Sequence, residues 1–301
     1  MVSKVSLTED LSLSQLVYGF WRAAEWGYST KESTELVRYC LDLGITTFDH
    51  ADIYGDYTCE GIFGKVLKAA PSLRDQMEIV TKCGIKLISS NRPEHQVKSY
   101  DTSFEHIIKS AENSLKELST DYIDLLLIHR PDPFINPAEV ARAFDQLKAQ
   151  GKVLNFGVSN FTVQQFKTLS SYLAMPLATN QIEISASCTD AFADGNIDFC
   201  QEQRIYPMAW SPLGGGSIFT SDEPKEKRLR AKLEEVANAI SAETIDQVIL
   251  AWLLAHPVGI LPVLGTGKTD RIARSVAATD LKITRDQWFE ILQTSWGHDV
   301  P

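Results

Sequence analysis

The sequence predicts an α/β protein folded as one (β/α)8 barrel. Short apolar runs rich in β-branched residues alternate with amphipathic stretches, which is typical of βαβ units around a parallel sheet. Eight such runs occur, and polar residues follow several of them, where parallel barrels carry their chemistry. No linker rich in Pro, Gly or Ser divides the chain. We therefore expect a single domain over residues 1–301.

The apolar runs are the predicted strands. In chain order they are LVYGF (16–20), ITTFDH (45–50), MEIVTKC (77–83), IDLLLIH (123–129), VLNFGVS (153–159), LATNQIE (177–183), IYPMAWS (205–211) and ILPVLG (260–265). Before the first of them, VSLTEDLSLS (5–14) alternates polar and apolar residues, and it predicts a β-hairpin across the barrel floor.

The predicted helices begin at Ser, Thr or Asn caps, and Gly44 and Gly151 end two of them. They cover residues 31–43, 102–118, 137–150, 162–172 and 244–256. The stretch Gly214–Lys227 is rich in glycine, then charged, and lacks a strong periodicity. It is interpreted as a mobile flap after the seventh strand.

Composition excludes several classes of partner. A net charge of -10 and a pI near 5.1 argue against nucleic acid or an anionic membrane, which need a basic face. The five cysteines form no C-x-x-C pair, which favours reduced thiols. The first residues lack the apolar core of a signal peptide, and no apolar run is long enough to span a bilayer. We expect a cytoplasmic protein.

Four polar residues at strand ends predict the chemistry: Asp49, Tyr54, Lys82 and His129. Taken singly, Asp49 suits a helix cap or a surface acid, Tyr54 a loop aromatic and Lys82 a strand-end lysine. Together they suit carbonyl reduction, because a hydride added to a carbonyl carbon leaves an alkoxide that needs a proton. Tyr54 is the candidate acid.

The other three residues are expected to support Tyr54. Lys82 would lower the pKa of the phenol from its usual value of about 10. Asp49 would hold Lys82 by charge and hydrogen bond. A neutral His129 would orient the carbonyl oxygen and supply a proton to the tyrosine.

Two further readings of the sequence concern bound groups. His50, Asp52 and Asp132 crowd the same region, but the His-x-His strand signature of a metal-dependent barrel is absent, so no metal is expected. No G-x-G-x-x-G follows a strand either. Instead, three cations follow the last strand at a predicted helix N-terminus: Lys268, Arg271 and Arg274. They fit a 2′-phosphate, hence NADPH rather than NADH, although a solvated helix face would look similar.

The chain resembles the aldo-keto reductases, and within them a bacterial branch of YdhF-type oxidoreductases. The resemblance rests on GITTFDHADIYG, DLLLIHRPDP, GVSNF, NQIEIS and AWSPLGGG, which span most of the chain in order. It implies a (β/α)8 barrel and the same tetrad, with Tyr54 as acid, Lys82 and Asp49 tuning it, and His129 orienting the substrate.

The resemblance also implies the cofactor contacts. It places Ser159, Asn160 and Gln181 at the nicotinamide carboxamide and Trp210 against the nicotinamide ring, although core packing is an alternative for Trp210. Where relatives have R-I-x-E-N, this chain has Arg271-Ile272-Ala273-Arg274-Ser275, which leaves the adenine contacts open: Arg274 could bind the 2′-phosphate or stack on adenine. The remaining implied contacts are Gly19, Trp21, Ser211, Leu213, Gly214, Gly265, Thr266, Gly267, Lys268, Arg271 and Arg274.

The segment after Trp288 is short, which predicts an open substrate pocket. Its expected lining residues are Trp21, Tyr57, His129, Phe134 and Trp210.

The leading hypothesis is therefore an NADPH-dependent reductase of aldehydes or ketones, with alcohol oxidation as the reverse reaction. Its expected partner is a small carbonyl substrate, and the chain is expected to be a monomer or a weak homo-oligomer. The alternatives are a weakly catalytic or non-catalytic NADPH sensor and, third, a metal-dependent barrel hydrolase or lyase.

Overall fold

The computed structural model describes residues 1–301 and contains a closed barrel of eight parallel strands. The strands, in chain order, are β1 (Lys4–Ser6), β2 (Ser12–Ser14), β3 (Val17–Gly19), β4 (Thr47–Asp49), β5 (Glu78–Cys83), β6 (Ile85–Lys86), β7 (Ser99–Tyr100), β8 (Ile123–Ile128), β9 (Val153–Ser159), β10 (Asn180–Glu183), β11 (Met208–Trp210) and β12 (Leu261–Leu264).

The barrel runs in the order β3-β4-β5-β8-β9-β10-β11-β12 and closes between β12 and β3. Each of the eight predicted runs contains one barrel strand, so the predicted fold class is confirmed. The observed strands are shorter than the runs at several ends. In LATNQIE the strand begins only at Asn180, and in IYPMAWS only Met208–Trp210 pair as a strand.

The predicted N-terminal hairpin is also confirmed. β1 and β2 pair antiparallel, with Val5 opposite Leu13. Leu11 and Leu13 are buried and pack with residues inside the barrel, among them Val17 and Leu261, near the starts of their strands. The hairpin therefore covers the amino-terminal end of the barrel and leaves the carboxyl ends of the strands free for a site.

Helices lie outside the barrel strands. They are α1 (Thr30–Asp42), α2 (Tyr54–Tyr57), α3 (Cys59–Ala69), α4 (Phe104–Leu118), α5 (Pro137–Ala149), α6 (Val163–Ser170), α7 (Asn196–Gln203), α8 (Ser217–Thr220), α9 (Pro224–Ile240), α10 (Ile245–Leu254), α11 (Thr269–Ala277) and α12 (Arg285–Trp296). The five predicted helices match α1, α4, α5, α6 and α10 within two residues at most ends. Ser29 and Thr162 each form a capping box with the Glu or Gln three residues later.

Alternation along the strands divides the core into two layers. On β8, Leu125 and Leu127 point into the barrel and pack with the hairpin, whereas Leu126 and Ile128 point outward to the helices. Because the period is two, His129 continues the inward-facing set at the barrel mouth.

Two loops at the mouth are more structured than the sequence predicts. The segment after β5 returns as the β6–β7 pair, with Ile85 opposite Tyr100. The predicted flap Gly214–Lys227 contains a 3-10 turn at Gly214–Gly216, then α8 and the start of α9. Arg230 donates hydrogen bonds to the carbonyl oxygens of Ile218 and Ser221, so α9 secures this segment. None of the helices combines the length and apolarity needed to cross a membrane.

Candidate active site

The four predicted catalytic residues meet at the carboxyl ends of neighbouring strands. Asp49 is the last residue of β4, Lys82 lies near the end of β5, and His129 follows β8 directly. β5 pairs with both β4 and β8, so these three residues come from adjacent strands. Tyr54 enters from the loop after β4. The barrel therefore brings together four residues that are up to 80 positions apart in the chain.

Lys82 is the centre of the site. Its side chain is fully buried, and its Nζ donates hydrogen bonds to Asp49 Oδ2 at 2.7 Å, to the His50 carbonyl oxygen at 2.7 Å and to Tyr54 OH at 3.0 Å. A buried ammonium is tolerated only when it is paired and hydrogen-bonded, and Lys82 meets both conditions. Burial lowers the pKa of Lys82, but Asp49 and Tyr54 raise it by more, so the net shift is upward. Lys82 is a fixed positive charge.

The backbone after Tyr54 is left-handed for three residues. Gly55, Asp56 and Tyr57 have φ values of 56°, 55° and 66°, a region that costs free energy for residues with a side chain. At Gly55 a Cβ atom would lie 2.6 Å from Cys59 Sγ, so glycine is required on steric grounds as well. Just before this turn, the Tyr54 ring lies over Lys82, with 4.8 Å from its centroid to Lys82 Nζ.

The pKa of Tyr54 differs from the simple expectation. The Lys82 charge lowers the pKa of the phenol, as predicted, but burial raises it by more, and the net shift is upward from 10.0. The expected net lowering is therefore wrong for the protein alone. The phenol keeps its proton at neutral pH, which is the state that a proton donor needs.

His129 is neutral in this environment. Burial, then the charges of Lys82 and Arg130, hold the pKa of His129 well below 6.5. Its ring meets that of Tyr54 edge to face, with the centroids 5.8 Å apart. A neutral imidazole suits the predicted orienting role. The supply of a proton to Tyr54 through His129 stays a prediction.

A hydrogen-bonded network of amides and hydroxyls lies beside the tetrad. Ser159 donates to the carbonyl oxygen of Gln181, and Asn160 Nδ2 donates to Ser159 Oγ at 2.7 Å. Asn160 Oδ1 accepts a hydrogen bond from Trp210 Nε1 at 2.9 Å. Asn160 itself is left-handed, with φ of 61°. The network fixes the side chains of Ser159, Asn160 and Trp210, whereas the Gln181 side chain is held separately, by its hydrogen bond to Asp49.

The other predicted cofactor contacts lie along one side of the mouth, because β11, β12 and β3 are neighbours. Gly19 and Leu264 approach closely, since a Cβ on Gly19 would lie 2.8 Å from the Leu264 carbonyl oxygen. After β11, Ser211 and Gly214 both have positive φ, which turns the backbone sharply there. The predicted contacts on these three strand ends and the loops after them are Gly19, Trp21, Ser211, Leu213, Gly214, Gly265, Thr266 and Gly267.

The predicted phosphate cluster divides into two kinds of residue. Lys268 and Arg271 are exposed at the start of α11 and take part in no ion pair. Arg274 instead donates to Asp270 Oδ2 at 3.2 Å, one helical turn back. Ser275 is buried and donates to the Arg271 carbonyl oxygen, so its hydroxyl bonds within the helix. The free cations in the cluster are thus Lys268 and Arg271.

The predicted pocket residues are distributed unevenly. Trp21 and Phe134 are 54% and 95% exposed and stand at the rim. Tyr57 is far less exposed than these two residues. It is buried under the loop after β5, where its hydroxyl accepts a hydrogen bond from Leu87 N at 2.8 Å and Arg92 packs over its ring. Its left-handed φ turns it to that loop.

The residues considered as metal ligands have separate environments. The His50 ring is fully buried between Phe20 and Phe63, with neither nitrogen hydrogen-bonded. Asp132 accepts hydrogen bonds from Thr102 Oγ1 and from a backbone amide. His50 and Asp132 thus serve packing and loop structure.

Sequence reasoning missed two charged residues at the mouth, Arg130 and Glu183. Arg130 packs over the Trp210 ring, 5.5 Å from its centroid. Glu183 pairs in register with Trp210 across β10 and β11. Their positions in the sequence could have placed both residues at the mouth. Arg130 directly follows His129, and Glu183 lies on the same strand face as Gln181, two residues earlier.

Comparison with known proteins identifies the family. Residues 15–295 match the model of the aldo/keto reductase family. The chain belongs to the aldo/keto reductases. The predicted family is therefore confirmed, and with it the prediction of an oxidoreductase.

Several relatives match over their full length. The chain is 51% identical to the oxidoreductase YcsN of Bacillus subtilis and 48% identical to the oxidoreductase YdhF of Escherichia coli, covering 100% of each chain in both cases. It is 44% identical to a 6-dehydroglucose reductase of Agrobacterium fabrum, over 99% of this chain and 100% of that protein. The resemblance to YdhF-type enzymes is confirmed.

Solved structures agree with the fold. The thermostable aldo-keto reductase Tm1743, determined with the inhibitor epalrestat, is 28% identical and superposes with a TM-score of 0.81, over 97% of this chain and 99% of that chain.

Proposed function

We propose that this aldo/keto reductase is an NADPH-dependent reductase of aldehydes or ketones with Tyr54 as its general acid. The observation that carries the proposal is the buried chain from Asp49 through Lys82 to the Tyr54 hydroxyl, with His129 against the phenol ring. A phenol held by a fixed ammonium at an open strand end is suited to giving a proton to an oxygen that gains negative charge.

The residues fit NADPH. Lys268 and Arg271 are exposed cations without carboxylate partners at the start of α11, where backbone N–H groups also favour an anion. At the carboxyl ends of β9 and β10 lie the hydrogen-bonded side chains of Asn160 and Gln181, which can hydrogen-bond a carboxamide. Gln181 uses its amide nitrogen on Asp49, so its oxygen is the atom available to accept a hydrogen bond. When bound, NADPH supplies the hydride that reduces the carbonyl carbon.

The side chains then have distinct roles in reduction. As the carbon–oxygen π bond breaks, Tyr54 gives its hydroxyl proton to the carbonyl oxygen, and the alkoxide becomes an alcohol. Lys82 stabilises the phenolate that remains, because its ammonium lies 3.0 Å from the phenol oxygen. Asp49 holds Lys82 in place. Neutral His129 positions the carbonyl oxygen by a hydrogen bond.

The assembled tetrad favours turnover over the alternative of a non-catalytic nucleotide sensor. A sensor needs the nucleotide contacts but has no use for a buried Asp-Lys-Tyr chain, whose desolvation is costly. The 44% identical relative named 6-dehydroglucose reductase supports a polyhydroxylated aldehyde among the candidate substrates.

The loss of NADPH absorbance with a panel of aldehydes tests the proposal. Tyr54→Phe should lower kcat/KM by about 100- to 10,000-fold, the usual range for a general acid, with the Kd for NADPH unchanged. Tyr172→Phe, at an exposed tyrosine after α6, is the matched control and should behave as wild type. Full turnover by Tyr54→Phe would exclude Tyr54 as the acid. Tight NADPH binding without turnover by the wild type would favour the sensor, and chelator-sensitive turnover without NADPH would favour a metal enzyme.

A further inference from the structure

Two charged side chains at the mouth have no role in the tetrad. Glu183 is the last residue of β10, and it points inward because Gln181, two residues before, does so. Its neighbour in register is Trp210. Arg130 follows His129 and lies over the Trp210 ring, with 5.5 Å from its guanidinium carbon to the ring centroid. The two charges therefore flank one indole ring.

Neither charge is satisfied by the rest of the chain. Arg130 and Glu183 make no side-chain hydrogen bond, and they are too far apart to form an ion pair with each other. They are close enough to interact, since Arg130 lowers the pKa of Glu183 against the larger, opposite effect of burial. Arg130 also affects Tyr54 and His129 electrostatically, so its guanidinium lies on their side of the mouth.

The combination of the two charges indicates the chemistry of the ligand. An unpaired arginine alone would suit a carboxylate or a phosphate. Here the Glu183 carboxylate stands beside it and would repel an anion, as would the net charge of -10. A hydroxyl group both donates and accepts hydrogen bonds, so neighbouring hydroxyls can use an arginine donor and a carboxylate acceptor together.

We propose that Arg130 and Glu183 are specificity-determining residues that bind the hydroxyl groups next to the carbonyl of a polyhydroxylated substrate. The inference rests on the proposed reductase function and extends it to a substrate class. A site that hydrogen-bonds substrate hydroxyls should disfavour an analogue that lacks them, because Arg130 and Glu183 would lose water to that analogue without gaining a partner.

Three small aldehydes test the inference: D-glyceraldehyde, with a hydroxyl on each of its two other carbons, propanal, with none, and the anionic succinic semialdehyde. Wild type should prefer D-glyceraldehyde to propanal in kcat/KM. Arg130→Met and Glu183→Gln should each lower kcat/KM for D-glyceraldehyde about tenfold, mainly through KM, since the first removes a hydrogen bond from a charged donor and the second leaves only a neutral acceptor. Propanal should change less than about twofold, because it makes no such bond. Arg142→Met, at an exposed arginine on α5, is the matched control.

Five results would overturn the inference. Equal losses for D-glyceraldehyde and propanal would indicate a structural role. A preference for succinic semialdehyde that Arg130→Met abolishes and Glu183→Gln increases would indicate an anion site. Weaker NADPH binding by Arg130→Met, measured from NADPH fluorescence, would assign Arg130 to the cofactor. If wild type reduces propanal and neither variant affects D-glyceraldehyde more than propanal, this inference alone is refuted. If wild type shows no NADPH-dependent turnover, the proposed function is refuted with it.

Discussion

Gln181 donates a hydrogen bond from Nε2 to Asp49 Oδ1 at 2.8 Å, the carboxylate oxygen that Lys82 does not use. Both residues are nearly fully buried, and they come from opposite sides of the barrel, on β10 and β4. Each oxygen of the carboxylate thus has a donor. Gln181, predicted only as a nicotinamide contact, also fixes the acid that holds Lys82.

Removal of this donor should weaken both the fold and the site. Gln181→Met conserves volume but leaves Asp49 Oδ1 without a partner, which should lower the free energy of unfolding by about 1.5–3 kcal/mol, as for other hydrogen bonds to charged groups. We expect kcat to fall as well, because Asp49 positions Lys82 and Tyr54. Urea unfolding at pH 7.5 measures the first effect and NADPH-linked turnover the second. A stability within about 0.5 kcal/mol of wild type, the range of neutral surface changes, would contradict the assigned role.

The choice between NADPH and NADH should depend on Lys268 and Arg271. Each is exposed and unpaired, so each can make a charge-assisted bond to a 2′-phosphate. Lys268→Ala and Arg271→Ala should each raise KM for NADPH about tenfold or more and leave KM for NADH nearly unchanged. Arg274→Ala should have the smaller effect, because Arg274 already pairs with Asp270.

Arg285→Ala, at an exposed arginine that begins α12, serves as the control for the loss of a surface cation. If KM rose equally for NADPH and NADH in Lys268→Ala and Arg271→Ala, these residues would not distinguish the 2′-phosphate. Steady-state kinetics with both nucleotides separates the two results.

His50 should make the protein sensitive to acid. Burial, then the Lys82 charge, lowers the pKa of His50 to about 3, and both ring nitrogens lack hydrogen bonds. In the unfolded chain a histidine has a pKa near 6.5, so below that pH only the unfolded state takes up the proton. Stability from a neutral His50 is therefore present above about pH 6.5 and is lost as the pH falls. The loss between pH 6.5 and 5 should be about 2 kcal/mol.

His50→Phe should remove this pH dependence, because a phenyl ring suits the site between Phe20 and Phe63 and does not titrate. Burial raises the pKa of Glu60 to about 7, so Glu60 increases the stability as the pH falls. Both proteins contain Glu60, so its effect cancels when their stabilities are compared. Urea unfolding at pH 7.5 and 5.0 gives the two stabilities. His298→Phe, at an exposed histidine, should leave the pH dependence of wild type intact. Parallel pH dependences for wild type and His50→Phe would contradict the prediction.

The sequence was sufficient for the barrel, because the evidence for its strands is local. A run such as IDLLLIH is apolar on both faces, as a strand between barrel interior and helices must be, and it is followed by the residue that reaches the mouth. Asp49, Lys82 and His129 could be assigned to one site for the same reason, since strand ends of a parallel barrel converge.

The orientation of loop residues could not be predicted in the same way. Tyr57 is three residues from Tyr54, yet its hydroxyl bonds to the loop after β5, and its φ of 66° follows no simple pattern in the sequence. Asp270 meets Arg274 only when α11 is formed, because the two residues are then one helical turn apart. In the helix, the Asp270 carboxylate competes with a ligand for Arg274. The pKa of Tyr54 depends on the balance between burial and one ammonium, which requires coordinates.

The three bonds of Lys82 have a consequence for direction. An ammonium has three hydrogens, and those of Lys82 are taken by Asp49, the His50 carbonyl and Tyr54. The phenol oxygen of Tyr54 is therefore the acceptor in its bond with Lys82, and its own hydrogen must point elsewhere. Lys82 thus fixes the direction of the Tyr54 O–H bond. The hydroxyl hydrogen stays free to bond an oxygen atom that enters the mouth of the barrel.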